Sequence, residues 1–303
     1  MNIDSPMLAT KVDRLLRLVA SKGVQAPGQL QPITNVVAFS GGIDSSLVAA
    51  LVHQVFPESS AACIGRSPAL ASVQLEQARE IASHIGIRLW ECHTNEVKFE
   101  DYVANQGKSC YYCKTTLYST LQQVAAFAWD ELQQQTEARI KPVLYNGTNA
   151  DDLLDPTRIG LVAATEFQVV SPLCELTKSE VRDVAKYLGL PNWNAAASPC
   201  LRSRLEFGVK ATKEHLRRVE KAEHVIRKLL NLKSHRSMRV RFLARNKAAV
   251  ELDAEALEMS KSHLDVIDAE LRRLEFDAVE VRAFRSGSLS GYNVEKENVV
   301  RHK

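Results

Sequence analysis

No apolar run in the 303 residues approaches the ~20 needed to cross a bilayer, so no membrane-spanning helix is expected. The first twenty residues contain no continuous hydrophobic stretch and carry Asp4 and Asp13, so no secretory leader is expected and the cytoplasm is the expected compartment. Met1 to Ala20 reads instead as an amphipathic helix. There is no internal repeat and no low-complexity segment. Net charge is only +3, too little to demand a nucleic-acid partner. Cysteines number six, and in a chain of cytosolic character they are not expected to pair as disulfides. Walker-type phosphate chemistry is also missing, because no Gly-Lys-Ser/Thr follows four residues after a glycine.

What remains is ordinary for a globular protein, with 45% hydrophobic and 25% charged residues and length for one large domain or two modest ones. The stretch that stands out is Val36-Val37-Ala38-Phe39-Ser40-Gly41-Gly42-Ile43-Asp44-Ser45-Ser46. Its apolar start predicts a short buried strand, and Ser-Gly-Gly a tight loop. Leu47 to Val52 predicts a helix that Asp44, Ser45 or Ser46 could cap. Such a corner binds anions, because glycines admit a phosphate close to the backbone and the helix start offers N–H groups and a positive dipole end. Ser40, Ser45 and Ser46 add hydroxyls, and Asp44 could hold a phosphate-bound Mg2+.

Downstream, Ala61 to Gly65 and Ile87 to Cys92 predict strands on either side of a helix, Val73 to Ile85, whose buried face draws on Val73, Leu75, Ala78, Ile81, Ala82 and Ile85. Alternating strands and helices argue a parallel sheet covered on both faces, with ligands at the strands' carboxyl ends. Glu100 to Lys114 reads as a polar loop leading into a helix from Thr115 to Gln133. Val143 to Gly147 predicts another strand, followed by the polar turn Thr148-Asn149-Ala150-Asp151-Asp152, placed to close over a nucleotide. Phe167 to Leu173 predicts a further strand. Thr177 to Glu180 is a capping box for a helix over Val181 to Leu188, which Gly189 stops.

Beyond Phe207-Gly208 the pattern changes. Helices over Thr212 to Leu230 and Ala254 to Leu274 alternate with strands over Ser237 to Leu243, Ala248 to Leu252 and Ala278 to Phe284, which predicts a smaller α+β domain. The expected division is an α/β domain over 1–207, a small α+β domain over 208–290 and a tail over 291–303, with the boundary near residues 205–210. From Lys210 to Lys247 thirteen Lys and Arg stand against only Glu214, Glu220 and Glu223, which suits an anionic ligand, RNA or an acidic surface, or is a solvated helix face. Arg239 and Arg241 fall on one face of their strand, where they could share an anion or line a solvent edge.

The cysteines divide. Cys63 and Cys92 sit in predicted strands and read as small core residues. Cys110-Tyr111-Tyr112-Cys113 lies in a polar stretch and could be a redox pair or half of a metal site. Pro199-Cys200-Leu201-Arg202-Ser203-Arg204 puts a thiol in a loop between a proline and two arginines, and nearby arginine favours thiolate.

Ser40-Gly41-Gly42-Ile43-Asp44-Ser45 resembles the PP-loop, SGGxDS, of the adenine nucleotide alpha-hydrolase-like, Rossmann-like ATP pyrophosphatases. With Cys110-Tyr111-Tyr112-Cys113-Lys114, Asn146-Gly147-Thr148-Asn149-Ala150-Asp151-Asp152, Pro199 to Arg204, Arg239-Val240-Arg241 and Phe284-Arg285-Ser286-Gly287-Ser288, the chain resembles the LarE-type ATP-dependent sulfur transferases of nickel-pincer nucleotide biosynthesis. The resemblance implies adenylylation by ATP and Mg2+ of a carboxylate on a pyridinium-3,5-dicarboxylate mononucleotide, which a sulfur nucleophile converts to thiocarboxylate. It implies ATP contacts from Ala38, Ser40, Gly41, Gly42, Asp44, Ser45, Ser46, Gly147 and Asp152, and substrate-phosphate contacts from Arg204, Arg239, Arg241 and Arg285. Cys200 falls on the reactive cysteine, and Cys110, Cys113 and Cys200 on the three-cysteine pattern that holds a [4Fe-4S] cluster; in other members the cysteine gives up its own sulfur. The family also implies a homo-oligomer, a hexamer by expectation. Pro199 and Arg202 stand where the family usually has alanines, and Lys108-Ser109 where it has Asn-Arg; Glu220 and Glu223 are candidates for a metal or substrate contact.

Three other functions compete. A PP-loop tRNA thiolase would use the basic stretch and paired cysteines, but no separate RNA-binding domain or aromatic-interleaved basic surface accompanies them. An ATP-dependent amide-forming synthetase, of the NAD or GMP type, has no use for three cysteines. A non-enzymatic nucleotide-binding protein does not need an intact loop together with Cys200.

Overall fold

A computed structural model describes residues 5–25, 32–132, 141–233 and 236–285. The chain runs α1 (Ser5–Lys22), β1 (Asn35–Ala38), α2 (Ile43–Val55), β2 (Ser60–Arg66), α3 (Ser72–Ile85), β3 (Arg88–His93), α4 (Glu100–Ala104), α5 (Ser109–Leu132) and β4 (Val143–Tyr145). It continues through α6 (Ala150–Leu153), α7 (Gly160–Glu166), α8 (Lys178–Tyr187), α9 (Lys213–Leu229), β5 (Met238–Leu243), β6 (Lys247–Leu252), α10 (Ala254–Ser260), α11 (Leu264–Arg273) and β7 (Ala278–Ala283). Two compact units result, one of residues 1–96 and 110–198, the other of residues 97–109 and 199–303. The chain therefore changes units at Pro199, before the region 205–210 where the sequence pattern shifts, and the short segment around α4 joins the second unit. The expected tail over 291–303 lies outside the described residues.

The first unit is an α/β layer structure around a four-stranded sheet of order β3-β2-β1-β4, all pairs parallel. β1 is buried along its whole length, as a central parallel strand covered on both faces must be. One face packs α2 and α8 with α1, whose Leu8, Val12, Leu15 and Val19 recur at helical spacing and are all buried. The other carries Tyr118, Leu121 and Ala125 of α5 against Val36, Ala61 and Cys63. Cys63 and Cys92 are core residues, their sulfurs 2.9 Å apart. Among the described residues no helix is long and apolar enough to cross a membrane. The second unit holds a three-stranded sheet of order β5-β6-β7, antiparallel then parallel, with Leu216, Val219, Ala222 and Ile226 giving α9 its buried stripe.

Several elements differ from expectation for local reasons. α2 is capped by Gly42 without a side-chain hydrogen bond, so Asp44, Ser45 and Ser46 stand inside its first turn. On α3 the buried stripe is Ala78, Ile81 and Ala82, and Val73, in the first turn, is exposed. α5 starts at Ser109, whose buried hydroxyl donates to the Tyr102 carbonyl at 2.9 Å, so Cys110 and Cys113 lie on a helix and not in a loop. The strand expected over Phe167 to Leu173 shrinks to one bridge, Tyr145 to Val170, because Gln168 takes φ 54° and Pro172 has no N–H to donate. The long helix expected over Ala254 to Leu274 breaks into α10 and α11. There the Ser260 and Ser262 hydroxyls bond the carbonyls three residues back and compete with the helical ladder.

Candidate functional site

The glycine loop leaves the carboxyl end of β1 and enters α2, where the helix dipole presents its positive end. Gly41 sits at φ 70°, a conformation that side-chain-bearing residues avoid, and a Cβ there would meet Ala78 of α3 at 2.9 Å. The serine hydroxyls are engaged inside the loop. Ser45 Oγ donates to the Gly42 carbonyl (3.0 Å), accepts from the Ser40 amide (3.2 Å) and lies 3.1 Å from Ser40 Oγ. Ser46 Oγ donates to the same Gly42 carbonyl at 2.9 Å. Ser45 and Ser46 are buried, so their part is to shape the loop, while Ser40 stays exposed.

Asp44 is the acidic group of this site. Its Oδ1 accepts from Asn149 Nδ2 (3.0 Å) and its Oδ2 from Lys178 Nζ (2.5 Å). Asn149 caps α6 in a reciprocal box with Asp152, and Asp152 pairs with Arg158 at 2.6 Å. Asp151 accepts the Lys178 amide at 3.0 Å, which fixes the start of α8 beside the loop. The Asn-Ala-Asp-Asp segment is thus a bracket that holds Asp44 and Lys178. Gly147 belongs to it for a steric reason: a Cβ there would stand 2.7 Å from the Asp44 carbonyl carbon and the Ser45 nitrogen. In the sequence Asn149 reads only as part of the polar turn Thr148 to Asp152, and Lys178 only as part of a helix-capping box.

In the second unit Cys200 is half-buried and caps a 3-10 turn over Leu201–Arg204. Arg204 is buried. It bonds Glu223 at 3.0 Å, the Cys200 carbonyl at 3.0 Å and the Pro199 carbonyl. Arg202 turns to Asn105 at 2.7 Å. Arg241, also buried, bonds Glu251 at 2.8 Å and the Ser203 carbonyl at 3.1 Å. Arg239 shares its strand face, half-buried. Burial first, then the charge of Arg204, push Arg239 down to about 10, against the opposing pull of Glu223. Arg227 is likewise lowered by burial, and Glu223 and Arg204 act on it as well. Arg204, Arg227, Arg239 and Arg241 therefore lie near one another beside the Cys200 turn, with Glu223 on Arg204 and Glu251 on Arg241 offsetting part of their charge. Arg227 was not anticipated; its signal is the i, i+4 spacing from Glu223 on α9. Arg285 is exposed beyond β7. The Ser286 to Ser288 part of its motif lies outside the described residues.

The three remaining thiols of interest are distributed over both units, Cys110 and Cys113 in the first and Cys200 in the second. Cys110 and Cys113 lie at i and i+3 on the first turn of α5, exposed and half-buried, and no cysteine of the chain is in a disulfide. Among the described residues no three His, Cys, Asp or Glu are gathered as a metal site.

The family model for asparagine synthase matches residues 34–256. An uncharacterized protein of Synechocystis is 38% identical over 226 residues, 74% of this chain and 78% of that protein. The pyridinium-3,5-bisthiocarboxylic acid mononucleotide synthase of Lactiplantibacillus plantarum is 30% identical over 273 residues, 88% of this chain and 92% of the synthase. A tRNA-specific 2-thiouridylase of Halothermothrix orenii is 28% identical over 184 residues, 51% of each chain. An SGGxDS loop at the end of a central parallel strand, a family match across most of the chain and near-full-length likeness to that synthase converge: the chain belongs to the PP-loop, asparagine synthase-like ATP-utilising enzymes and is of the LarE type.

Proposed function

We infer that the protein is an ATP-dependent, AMP-forming sulfur transferase that acts on a carboxylate of a pyridinium-3,5-dicarboxylate mononucleotide and yields the thiocarboxylate. The observation that carries this reading is the Cys200 turn, whose carbonyl accepts from Arg204, one of four neighbouring arginines in the same unit; it supports a sulfur nucleophile next to a site for an anionic substrate. The 30% identity to the synthase, whose name specifies the bisthiocarboxylic acid mononucleotide, supports the substrate class.

The glycine loop would take the phosphates of ATP on the N–H groups at the start of α2, and Asp44 would hold Mg2+. A substrate carboxylate oxygen attacks the α-phosphorus, the bond to the bridging oxygen breaks, and pyrophosphate leaves with that electron pair. The acyl-adenylate now has AMP as leaving group. A sulfur nucleophile adds to its carbonyl carbon, AMP departs, and a carbon–sulfur bond replaces a carbon–oxygen bond. Half-buried Arg239 is the arginine of this group that reaches the substrate phosphate, through a charge-assisted hydrogen bond; Arg204 and Arg241, buried and bonded to Glu223 and Glu251, add their charge behind it, and Arg285, exposed, is the outer candidate for the same role.

Cys110, Cys113 and Cys200 suit a [4Fe-4S] cluster by donor chemistry: all are thiols outside disulfides, and two share one helical turn. A cluster held by three thiolates would supply an open iron on which sulfide can be delivered. Anaerobic reconstitution followed by iron and sulfide analysis tests this ligand set; about four irons per chain are expected, as the cluster stoichiometry requires. If no iron binds and the protein stops after one sulfur, with dehydroalanine at Cys200, the cysteine itself is the donor. Assembly into a homo-oligomer, six copies by family likeness, is read out by light scattering. Incubation with ATP, the dicarboxylate mononucleotide and sulfide should give thiocarboxylate by mass spectrometry, and the absence of any sulfur-containing product under reconstituted conditions refutes the assignment.

A further inference from the structure

We propose that Asn192 is a positioning residue of the ATP site, the tether that turns the glycine loop's N–H groups toward phosphate. Asn192 follows α8 and donates through Nδ2 to the Gly41 carbonyl at 2.9 Å and to Ser46 Oγ at 3.1 Å. Its own backbone is held: the Asn192 carbonyl accepts from the Ala195 amide at 3.0 Å. The next residue, Trp193, packs against the core under Lys186, whose Nζ lies 4.7 Å from the ring.

The consequence follows from peptide geometry. A trans peptide is planar, so its C=O and N–H point in opposite directions. When Asn192 draws the Gly41 carbonyl to itself, the Gly42 N–H is aimed the other way. There its partner is Ser40 Oγ at 3.3 Å, a long contact that a phosphate oxygen can replace. Gly41 sits at φ 70° and, as glycine, could let this peptide rotate, so the tether is needed. Ser46 extends the effect, since it accepts from Asn192 and donates to the Gly42 carbonyl, turning a second carbonyl away from the anion. Without these bonds a carbonyl dipole could face the phosphate and repel it. The amide orientation is required, because the Gly41 carbonyl needs a donor; Asn192 Oδ1 is left buried and without a partner among the described residues.

The inference rests on the ATP reading of the loop, and its test separates the two. Calorimetry on the full chain compares wild type with Asn192→Leu and Asn192→Asp, using MgATP and inorganic pyrophosphate as probes. Asn192→Asp keeps the volume and substitutes an acceptor for the donor, which guards against a folding defect in the leucine variant. Both variants should bind both probes about tenfold or more weakly, because the untethered Gly41 peptide must then be ordered at the moment of binding. The KM for ATP should rise while kcat at saturating ATP stays near wild type; a purely structural role would lower the melting temperature of the unliganded protein and leave the affinity for both probes at the wild-type value. Wild-type affinity in both variants overturns the tether and leaves adenylylation standing. Wild-type protein that binds ATP but forms no AMP with substrate overturns adenylylation and leaves the affinity comparison to decide the tether. A wild type that binds neither probe overturns both.

Discussion

Gly147→Ala tests how the nucleotide site is built, because Gly147 has no side chain to offer ATP. Its backbone φ is not in the left-handed region, so alanine meets no conformational penalty there. The obstacle is space. The new Cβ would lie 2.7 Å from backbone atoms of Asp44 and Ser45, and ordinary contact at 3.4 Å requires a withdrawal of about 0.7 Å. Those atoms belong to the first turn of α2, held by the bonds around Gly42 and by the Asn149 and Lys178 contacts to Asp44. Overpacking of this kind costs about 1–3 kcal/mol. At roughly 2–4 °C per kcal/mol for a unit of this size, the melting temperature should fall by several degrees. Displacement on this scale in a preorganised site should cost about tenfold or more in MgATP affinity. Calorimetry and thermal denaturation measure the two effects. An alanine variant that binds MgATP within twofold of wild type and melts at the same temperature would refute the close approach and the bracket built on it.

Three further outcomes are expected. Asp44→Ala should abolish substrate-dependent AMP release while the protein stays folded, and undiminished release in a nucleotide assay would remove Asp44 from the mechanism. Arg239→Met should raise the substrate KM about ten- to a hundredfold, the worth of a charge-assisted phosphate contact, with ATP affinity unchanged. Inorganic phosphate should raise the melting temperature of wild type and not that of this variant; steady-state kinetics and melting curves read both. Glu180 is held down to about 2, chiefly by the Lys11 ammonium and then by the Thr177 amide and hydroxyl. Its folded value lies below its unfolded one. The resulting stability is present above the ordinary carboxylate pKa of about 4.3 and is lost as pH falls through about 2. Denaturant titrations between those values should show a steeper loss for wild type than for Glu180→Gln.

Much of the fold could be read from local pattern. Short buried apolar runs marked β1 and β2, and the Thr177–Glu180 capping box marked the start of α8, because these signals sit within a few residues of what they determine. The site was less legible, since its working parts are distant in sequence. Lys178 reaches Asp44 across more than a hundred residues, and Asn192 reaches Gly41 likewise. No periodicity or cap encodes such contacts. Polarity is also a poor guide at Glu100 to Lys114: the stretch is hydrophilic, as loops are, yet nothing in Ser109 to Lys114 opposes a helix. Serines misled in the other direction at Ser260 and Ser262, where hydroxyls that compete for backbone carbonyls split one expected helix in two.

The central claim is cleavage of ATP between the α and β phosphates to activate a carboxylate. Phosphorus NMR of the products, with the full chain, MgATP, sulfide and pyridinium-3,5-dicarboxylate mononucleotide, tests it most directly. The account predicts AMP and pyrophosphate in equal amounts, formed only when the dicarboxylate is present and lost in Asp44→Ala. ADP and inorganic phosphate as products, or AMP formed at the same rate without the carboxylate substrate, would contradict it.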